Sequence, residues 1–309
     1  MPQTPDSPLP PTSRLSGRLL VATAALMWST SGFFVKAPLF AGWPGPLLAF
    51  WRAAFASLVL VPMVRQPRWS WRLLPMLLAF TTMNWFYLSA LVNTEAGNAI
   101  WLQYTSPGWV FLVSALVLRE PVRPLDWLLL ACAGLGVGLI VVCEFRGESL
   151  VGVTYGLLSG VTFAGIALSL RWLRDFDAAW LVALNHLVTA LVLSPYAVAS
   201  YPALWPSGWQ WPLIAGLGIL QMGLPYLLFA RGLKSVPSHE AAGITLLEPL
   251  FVPVWVFVAW RNAANYTPPR WWTLVGGGLI LLGLLLRFAH RPKSTTTEEK
   301  SSASGRNRV

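Results

Sequence analysis

Long apolar runs separated by short polar connections make up most of the chain. Each run is about long enough to cross a hydrocarbon core of roughly 30 Å as a helix. The pattern therefore predicts an all-α polytopic membrane protein with ten transmembrane helices. The ten runs are Leu19–Phe40, Gly45–Val64, Leu73–Val92, Gly97–Leu118, Trp127–Cys143, Leu150–Trp172, Ala178–Val198, Trp211–Ala230, Ala241–Trp260 and Trp271–Leu286.

The two ends of the chain depart from this pattern, because they are rich in Pro, Ser, Thr and charged residues. Such segments bury too little apolar surface to fold, so residues 1–18 and 289–309 are predicted to be disordered tails. Lys and Arg concentrate on one side of the predicted bundle, which also carries both tails. Since cationic loops stay in the cytoplasm, we expect cytoplasmic termini and a location in the cell (inner) membrane.

The second half of the chain repeats the first. A shift of 142 residues aligns Pro107 with Pro249, and the register holds for about thirty residues. The repeating unit has five helices, so the second copy enters the membrane from the opposite side. The sequence thus predicts two inverted five-helix repeats, residues 19–147 and 148–288, with a substrate site between them near the midplane.

Composition narrows the function further. A chain of 309 residues that is 55% hydrophobic and 11% charged is not an ordinary soluble protein. The net charge of +10 comes from short clusters between apolar runs, so we expect no nucleic-acid partner. No metal, nucleotide or nucleophile motif is present, and the loops are too short for a catalytic domain. We expect no enzyme activity, no cofactor and no metal; the partners are the lipid bilayer and a small-molecule substrate, while protons and a homodimer stay open.

Ionisable residues inside apolar runs are the first candidate site residues. Glu248 lies roughly 10 Å along its predicted helix from Ala241, at about 1.5 Å per residue, where an unpaired carboxylate costs several kcal/mol. We therefore expect it to bind substrate, a proton or both. Arg52 and its repeat counterpart His186 also lie deep in their runs. Each is either a coupling residue or a structural charge held by neighbouring helices.

Polar and aromatic side chains complete the candidate substrate site. Thr245 and Glu248 are three residues apart and share a helix face, and the repeat maps that face onto Gln103. Trp101 and Tyr104 could stack on an organic substrate or hold a cation. The predicted substrate-binding residues are Glu248, Thr245, Gln103, Trp101, Tyr104, Asn84 and Gln221.

Several stretches resemble one known family. They are ALVNTEAGNA ending at Ala99, GLKSVPSHEA ending at Ala241, Arg52 after Leu-Leu-Ala-Phe-Trp, and Leu-Glu-Pro at Leu247–Pro249. In this order, and duplicated, they resemble the EamA-type branch of the drug/metabolite transporter superfamily over about Leu19–Arg287. The resemblance implies a ten-helix fold with a central cavity, and export or exchange of a small metabolite.

The expected function is a secondary transporter that exports or exchanges an amino acid, amine or related solute by alternating access, with proton coupling open. Arg52 and Lys36 are the only deep basic residues, which favours a zwitterionic, cationic or neutral solute. Two alternatives remain. One is a lipid-flipping carrier, and the other is a non-transporting membrane scaffold, which would leave Glu248 unexplained.

Overall fold

The computed structural model describes residues 11–119, 124–144 and 150–289, and the regular elements in these ranges are all helical. This confirms the predicted all-α class. The α-helices are α1 (Pro11–Trp28), α2 (Ser31–Val35), α3 (Gly45–Leu60), α4 (Leu73–Asn93), α5 (Ala96–Gln103), α6 (Ser106–Leu116), α7 (Pro124–Glu144), α8 (Leu150–Trp172), α9 (Ala178–Ala199), α10 (Gln210–Gly218), α11 (Leu224–Gly232), α12 (Ser238–Ile244), α13 (Leu247–Trp260) and α14 (Trp271–Ala289). A π-helical turn, Ile219–Gly223, joins α10 to α11.

Eight helical segments in the described ranges are long and apolar enough to cross a bilayer. They are Leu15–Val35, Gly45–Met63, Leu73–Asn93, Trp127–Glu144, Leu150–Trp172, Ala178–Ala199, Gln210–Gly232 and Glu240–Trp260. The tenth predicted run, Trp271–Leu286, is apolar but shorter than these eight. The polytopic membrane architecture is confirmed, whereas the count of ten spanning helices stays a prediction.

The fourth predicted run, Gly97–Leu118, is not one continuous helix, because it divides into α5 and α6. Pro107, in the first turn of α6, has no N–H to donate to the carbonyl of Gln103. At the same point the Thr105 hydroxyl donates to the Leu102 carbonyl oxygen at 2.6 Å. The Thr105 backbone N–H bonds the same oxygen at 3.2 Å, so the α-helical ladder gives way to a tighter turn here.

Residues 11–18 of the predicted N-terminal tail belong to α1, which begins at Pro11. Proline is favoured in the first turn of a helix, where its missing N–H costs nothing. Arg18 also forms an ion pair with Glu240. These features order a segment that its composition alone leaves unfolded. The remainder of both predicted tails lies outside the described residues.

Glycines of α8 allow close packing against the break between α5 and α6. A methyl group at Gly160 would lie 2.7 Å from the Leu102 carbonyl oxygen, and one at Gly156 would lie 2.8 Å from the Leu102 side chain. Small residues let membrane helices approach at this distance. The contact fixes the depth of Gln103 and Tyr104, which follow Leu102.

The bundle has two ends, which we name after residues flanking α4. The 21 residues of α4 separate Arg72 from Glu95 by roughly 31 Å at about 1.5 Å per residue. At the Arg72 end, Arg72 Nη2 donates to Asp175 Oδ2 at 2.8 Å. At the Glu95 end, the Arg270 backbone N–H donates to Glu95 Oε2 at 3.0 Å. Each contact joins the first half of the chain to the second.

Candidate functional site

Four interruptions of the helical backbone surround one cavity. They separate α1 from α2, α5 from α6, α10 from α11, and α12 from α13. At membrane depth, irregular backbone is stable only where it is buried in protein or lines a cavity. Residues beside all four interruptions line the same space.

The cavity has a volume of about 420 Å³, which suits an organic solute rather than an inorganic ion. Its wall is largely apolar and aromatic, with a small set of polar side chains. The polar and tyrosine side chains are Arg52, Tyr87, Gln103, Tyr104, Ser106, Gln221, Tyr226, Thr245 and Glu248. The apolar wall includes Trp28, Met83, Phe163, Ile166, Met222 and Phe229.

The cavity extends toward the Arg72 end of the bundle. Helix α8 starts beside Thr94, at the Glu95 end, since a methyl group at Gly152 would lie 2.6 Å from Thr94 Cβ. Its three cavity residues, Phe163, Ile166 and Leu170, lie in its second half. Leu284, another lining residue, likewise lies late in α14. The wall is therefore offset from the Glu95 end.

Glu248 lies in the first turn of α13 and is half-buried in the cavity wall. The Tyr104 hydroxyl donates to Glu248 Oε2 at 2.9 Å and lies 3.0 Å from the Thr245 carbonyl oxygen. That carbonyl is available because Pro249, four residues later, has no N–H. The backbone N–H groups at the start of α13 also favour a negative charge. The carboxylate is thus held at the cavity surface.

Arg52 places a guanidinium on the same cavity although its residue is only 1% exposed. Its Nη2 donates to Asn84 Oδ1, and Asn84 Nδ2 in turn donates to the Phe80 carbonyl oxygen at 2.9 Å. The guanidinium carbon lies 5.8 Å from the centroid of the Tyr87 ring, within the range of cation–π attraction. One cavity therefore offers both an acidic and a basic group.

Six predicted site residues line this cavity: Glu248, Thr245, Gln103, Tyr104, Gln221 and Arg52. Two amide side chains among them also make contacts across the bundle. Gln103 Nε2 lies 3.3 Å from Met83 Sδ, and Gln221 Nε2 donates to the Trp28 carbonyl oxygen at 3.0 Å. The bond from Gln221 satisfies one of the carbonyl oxygens that lack a helical partner at the end of α1.

Asn84 and Trp101 lie outside the cavity wall. Asn84 acts on the cavity only through Arg52, which it orients. Trp101 is 6% exposed and belongs to an apolar cluster with Leu246 and Leu284. It packs so closely on α14 that a methyl group at Gly277 would collide with its ring. Its predicted contact with substrate is therefore not available in this arrangement.

His186 also lies behind the wall rather than in it. Its ring is fully buried, with its centroid 4.9 Å from that of Phe80 and 6.1 Å from that of Tyr226. Neither ring nitrogen has a hydrogen-bond partner in the described protein. The predicted repeat thus pairs an arginine of the cavity wall with a histidine packed among aromatic rings.

Tyr87 and Tyr226 are cavity residues that the sequence-based set of candidates omits. Tyr87 lies three residues after Asn84 on α4, so the two share a helix face. Its hydroxyl lies 2.8 Å from Ser31 Oγ. Tyr226 follows Pro225 in the first turn of α11. In the sequence, the spacing from Asn84 points to Tyr87, and the preceding proline points to Tyr226.

Metal ligands are not clustered in this part of the protein. Within the described ranges, His, Cys, Asp and Glu side chains form no group of three that could share a metal ion. The chemistry available in the cavity is reversible binding through charge, hydrogen bonds and aromatic contact.

Comparison with known proteins identifies a transporter family and named relatives of this chain. Residues 15–142 and 150–289 each match the EamA-like transporter family. The chain is 28% identical over 287 residues to the pseudopaline exporter CntI of Pseudomonas aeruginosa, covering 87% of this chain and 95% of that protein. It is 28% identical over 252 residues to the threonine/homoserine exporter RhtA of Escherichia coli K12, covering 76% and 80% respectively.

One crystal structure resembles this fold with a TM-score of 0.62 at 20% identity, covering 88% of this chain and 97% of that chain. At this identity the likeness concerns the fold alone. The two family matches together span most of the sequence, and their relatives include metabolite exporters. The chain is therefore an integral membrane protein that belongs to the EamA-like transporter family.

Proposed function

We propose that this protein is a secondary transporter that exports or exchanges an amino acid, an amine or a related small solute by alternating access. The observation that carries the proposal is one cavity, at the meeting point of four broken helices, with Glu248 and Arg52 on its wall. Discontinuous helices at the midplane are the usual framework of substrate sites in secondary transporters.

The charges of the wall favour a solute that carries an amine, a carboxylate or both. Glu248 offers oxygens to an ammonium group, and Arg52 offers nitrogens to a carboxylate. The tyrosines beside them suit the apolar parts of an organic molecule. The names of the two relatives, a threonine/homoserine exporter and a pseudopaline exporter, support an amino-acid-like solute.

Alternating access requires two halves that rock about the site. The predicted ten-helix inverted repeat supplies them, with the membrane crossed by α5–α6 and by α14 as well as by the eight longer segments. The break between α5 and α6 and the break between α12 and α13 support this symmetry, because Tyr104 and Thr245 are 141 residues apart, close to the repeat offset. Both termini are then cytoplasmic, at the Arg72 end of the bundle, in the cell (inner) membrane.

Proton coupling through Glu248 is part of the proposal. A protonated carboxyl can still accept the Tyr104 hydrogen bond but no longer attracts an ammonium group. Protonation and amine binding would therefore compete at this side chain, which is the requirement for exchange of a proton against an amine.

Counterflow in proteoliposomes tests the proposal. Vesicles loaded with a pool of unlabelled amino acids and amines should accumulate labelled members of that pool when they contain the wild-type protein. Glu248→Gln should lower this accumulation and remove its response to a pH gradient. Asp177→Asn is the matched control, because it also removes one carboxylate, lies outside the cavity, and keeps a side-chain oxygen that can cap α9.

The outcomes separate the alternatives. Accumulation that is equal in wild type and Glu248→Gln, with the same pH response, would overturn the role of Glu248. If no label accumulates but a fluorescent phospholipid changes leaflet in the same vesicles, the protein is a lipid-flipping carrier instead. Absence of both activities would point to the non-transporting scaffold.

A further inference from the structure

The Glu95 end of the bundle contains a carboxyl group that the proposed transport cycle has not used. Glu95 precedes α5 and is only 4% exposed. Its Oε2 accepts the Arg270 backbone N–H at 3.0 Å, whereas its Oε1 is buried and meets no hydrogen-bond donor among residues 11–119, 124–144 and 150–289. An ionised carboxylate with one orphaned oxygen is costly in such a place, and a neutral carboxyl is far less so.

A narrow chamber of about 10 Å³ lies beside this carboxyl, with room for about one water molecule. Lys36, Val256 and Tyr266 line it together with Glu95. The ammonium group of Lys36 donates to the Thr94 carbonyl oxygen at 2.7 Å, which ties the end of α2 to the connection before α5. The chamber thus brings a carboxyl and a lysine side chain together with little solvent.

Hydrogen bonds extend this arrangement into a closed network across the two halves of the chain. Asn98 Nδ2 and Trp272 Nε1 both donate to Glu144 Oε1, at 2.9 and 3.0 Å. Thr273 Oγ1 donates to Asn98 Oδ1 at 2.8 Å. We call this set, with Glu95, Lys36 and Arg270, the Glu95 network. Because these contacts join the end of α2 to the connection before α5, and α5 and α7 to α14, separation of these elements at the Glu95 end breaks them.

The charged and titratable groups around Glu95 shift its pKa in different directions. Burial, the largest cause, raises the pKa of Glu95 to about 8. The hydrogen bond from Arg270 and the positive charges of Arg270 and Lys36 lower this pKa, whereas the negative charge of Glu144 raises it. Burial also lowers the pKa of Lys36 to about 8. Burial and, next, the negative charge of Glu95 raise the pKa of Tyr266.

We propose that Glu95 is a proton-binding site separate from the cavity, which holds its proton while the Glu95 end is closed and releases it when that end opens to water. This inference rests on the proposed alternating-access function, in which the Glu95 end is the outer gate. It assigns the carrier a second ionisable site, which senses the pH outside the cell.

Two helices connect this site to the cavity. Helix α5 begins directly after Glu95 and leads to Tyr104, whose hydroxyl bonds Glu248. Helix α13 begins beside Glu248 and reaches the chamber at Val256 and beyond. The nine residue steps from Glu95 to Tyr104 amount to roughly 13 Å at about 1.5 Å per residue. Opening of the Glu95 end therefore moves the same helices that carry the Tyr104–Glu248 contact.

The sign of the pH dependence follows from linkage. The closed end holds Glu95 at a pKa of about 8, and a carboxyl exposed to water has an ordinary value of 4.5. The closed state therefore binds more protons between these values, so closure is favoured at acid pH and is lost as pH rises through 8. The ratio of closed to open states falls by up to about tenfold per pH unit within this window.

Hydrogen–deuterium exchange of the full-length protein in lipid nanodiscs tests the site without any transport. After correction for the intrinsic pH dependence of exchange, amides of residues 94–103 and 265–273 should exchange several-fold faster at pH 8 than at pH 6. Glu95→Gln should abolish this difference, because glutamine still accepts the Arg270 N–H but binds no proton. Glu144→Gln is the comparison variant, since it keeps an oxygen that can accept from Asn98 and Trp272. It should retain the difference, moved to lower pH, because the negative charge of Glu144 raises the pKa of Glu95.

The results distinguish this inference from the proposed function. A pH-dependent opening that persists in Glu95→Gln, or that disappears only in Glu144→Gln, would overturn the site. If the pH dependence and its loss in Glu95→Gln are found but no solute is carried in counterflow, the site stands and the transport proposal fails. If Glu95→Gln does not fold, Glu95→Asp serves instead: a shorter carboxyl should keep pH-dependent opening, and its loss would contradict proton binding here.

Discussion

The hydroxyl of Tyr104 donates a hydrogen bond of 2.9 Å to Glu248, and this bond crosses between two interrupted helices. Tyr104 directly follows the last residue of α5, and Glu248 lies in the first turn of α13. The bond therefore does more than orient a carboxylate, because it ties together two segments that the proposed alternating access moves relative to each other.

Tyr104→Phe removes this bond and keeps the aromatic ring. A hydrogen bond of this kind contributes about 0.5–1.5 kcal/mol, so half-saturation for counterflow should weaken by roughly two- to tenfold. Transport should persist, since Glu248 keeps its charge. Gln103→Leu, at the neighbouring wall position, gives a comparison that leaves the Tyr104–Glu248 pair intact. Complete loss of exchange in Tyr104→Phe, with the protein folded, would contradict this division of roles.

Arg52→Lys tests whether the guanidinium binds the acidic part of the substrate. Lysine keeps the positive charge but lacks the planar fork that can bond Asn84 and a carboxylate at once. Loss of such a bond costs about 1.5–3 kcal/mol, so a substrate with a carboxylate should bind at least about tenfold more weakly. The matching amine without a carboxylate should compete almost as well as before.

A purely structural role of Arg52 would give a different result. In that case Arg52→Lys lowers the midpoint of thermal unfolding and weakens the amino acid and its decarboxylated analogue equally. Asn84→Asp serves as the companion variant, since it retains an acceptor for the arginine. It should preserve discrimination between the two ligands if Asn84 only positions Arg52.

Alanine substitutions at two glycines distinguish the effect of close helix packing on stability from the effect of helix propensity. Gly160→Ala places a methyl group 2.7 Å from the Leu102 carbonyl oxygen, and overpacking of this kind costs about 1–3 kcal/mol. Gly138→Ala meets nothing within 4 Å and exchanges a poor helix former for a good one. Thermal unfolding in detergent should show a lower midpoint for the first and an unchanged or higher midpoint for the second. Equal midpoints would mean that α8 does not pack closely on α5.

Sequence alone predicted the helical class and most spans, because lipid requires long apolar runs. It also identified Glu248, since a charge in such a run is conspicuous. Which face of each helix meets the cavity was harder to predict. Runs such as α8 are apolar on every side, so their periodicity does not distinguish lipid, neighbouring helices and cavity. Trp101, predicted to bind substrate because of its aromatic ring, lies instead in the packing between α5 and α14.

Prolines marked the regions of interruption but not their positions. Near Pro107 and Pro249 the break precedes the proline, at Tyr104–Thr105 and at Thr245–Leu246. A proline frees the carbonyl four residues earlier, so the irregular backbone lies upstream of it. The partnership of Arg52 with Asn84 could not be predicted, because it joins residues of two helices whose relative rotation depends on packing throughout the bundle.

Two groups at the Glu95 end should change the free energy of unfolding with pH, in opposite directions below and above about pH 8. Glu95 has a folded-state pKa of about 8 against an ordinary value of 4.5, so its favourable contribution declines as pH rises through that interval. Lys36 has a folded-state pKa of about 8 against 10.5, so the unfolded chain binds more protons above pH 8. Its unfavourable charged form is lost there, and stability rises again. Their combined contribution is therefore lowest near pH 8.

Single variants separate the contributions of Glu95 and Lys36 when thermal unfolding is followed by tryptophan fluorescence from pH 5 to pH 10 at fixed ionic strength. The midpoint difference between wild type and Glu95→Gln should decline up to about pH 8 and then level off. The difference between wild type and Lys36→Met should stay level up to about pH 8 and then rise, because methionine keeps the unbranched apolar chain but never titrates. Taking differences cancels the titration of all unaltered groups. If both differences are independent of pH, neither side chain is desolvated in the folded protein, and the chamber between α2 and α13 must be open to water.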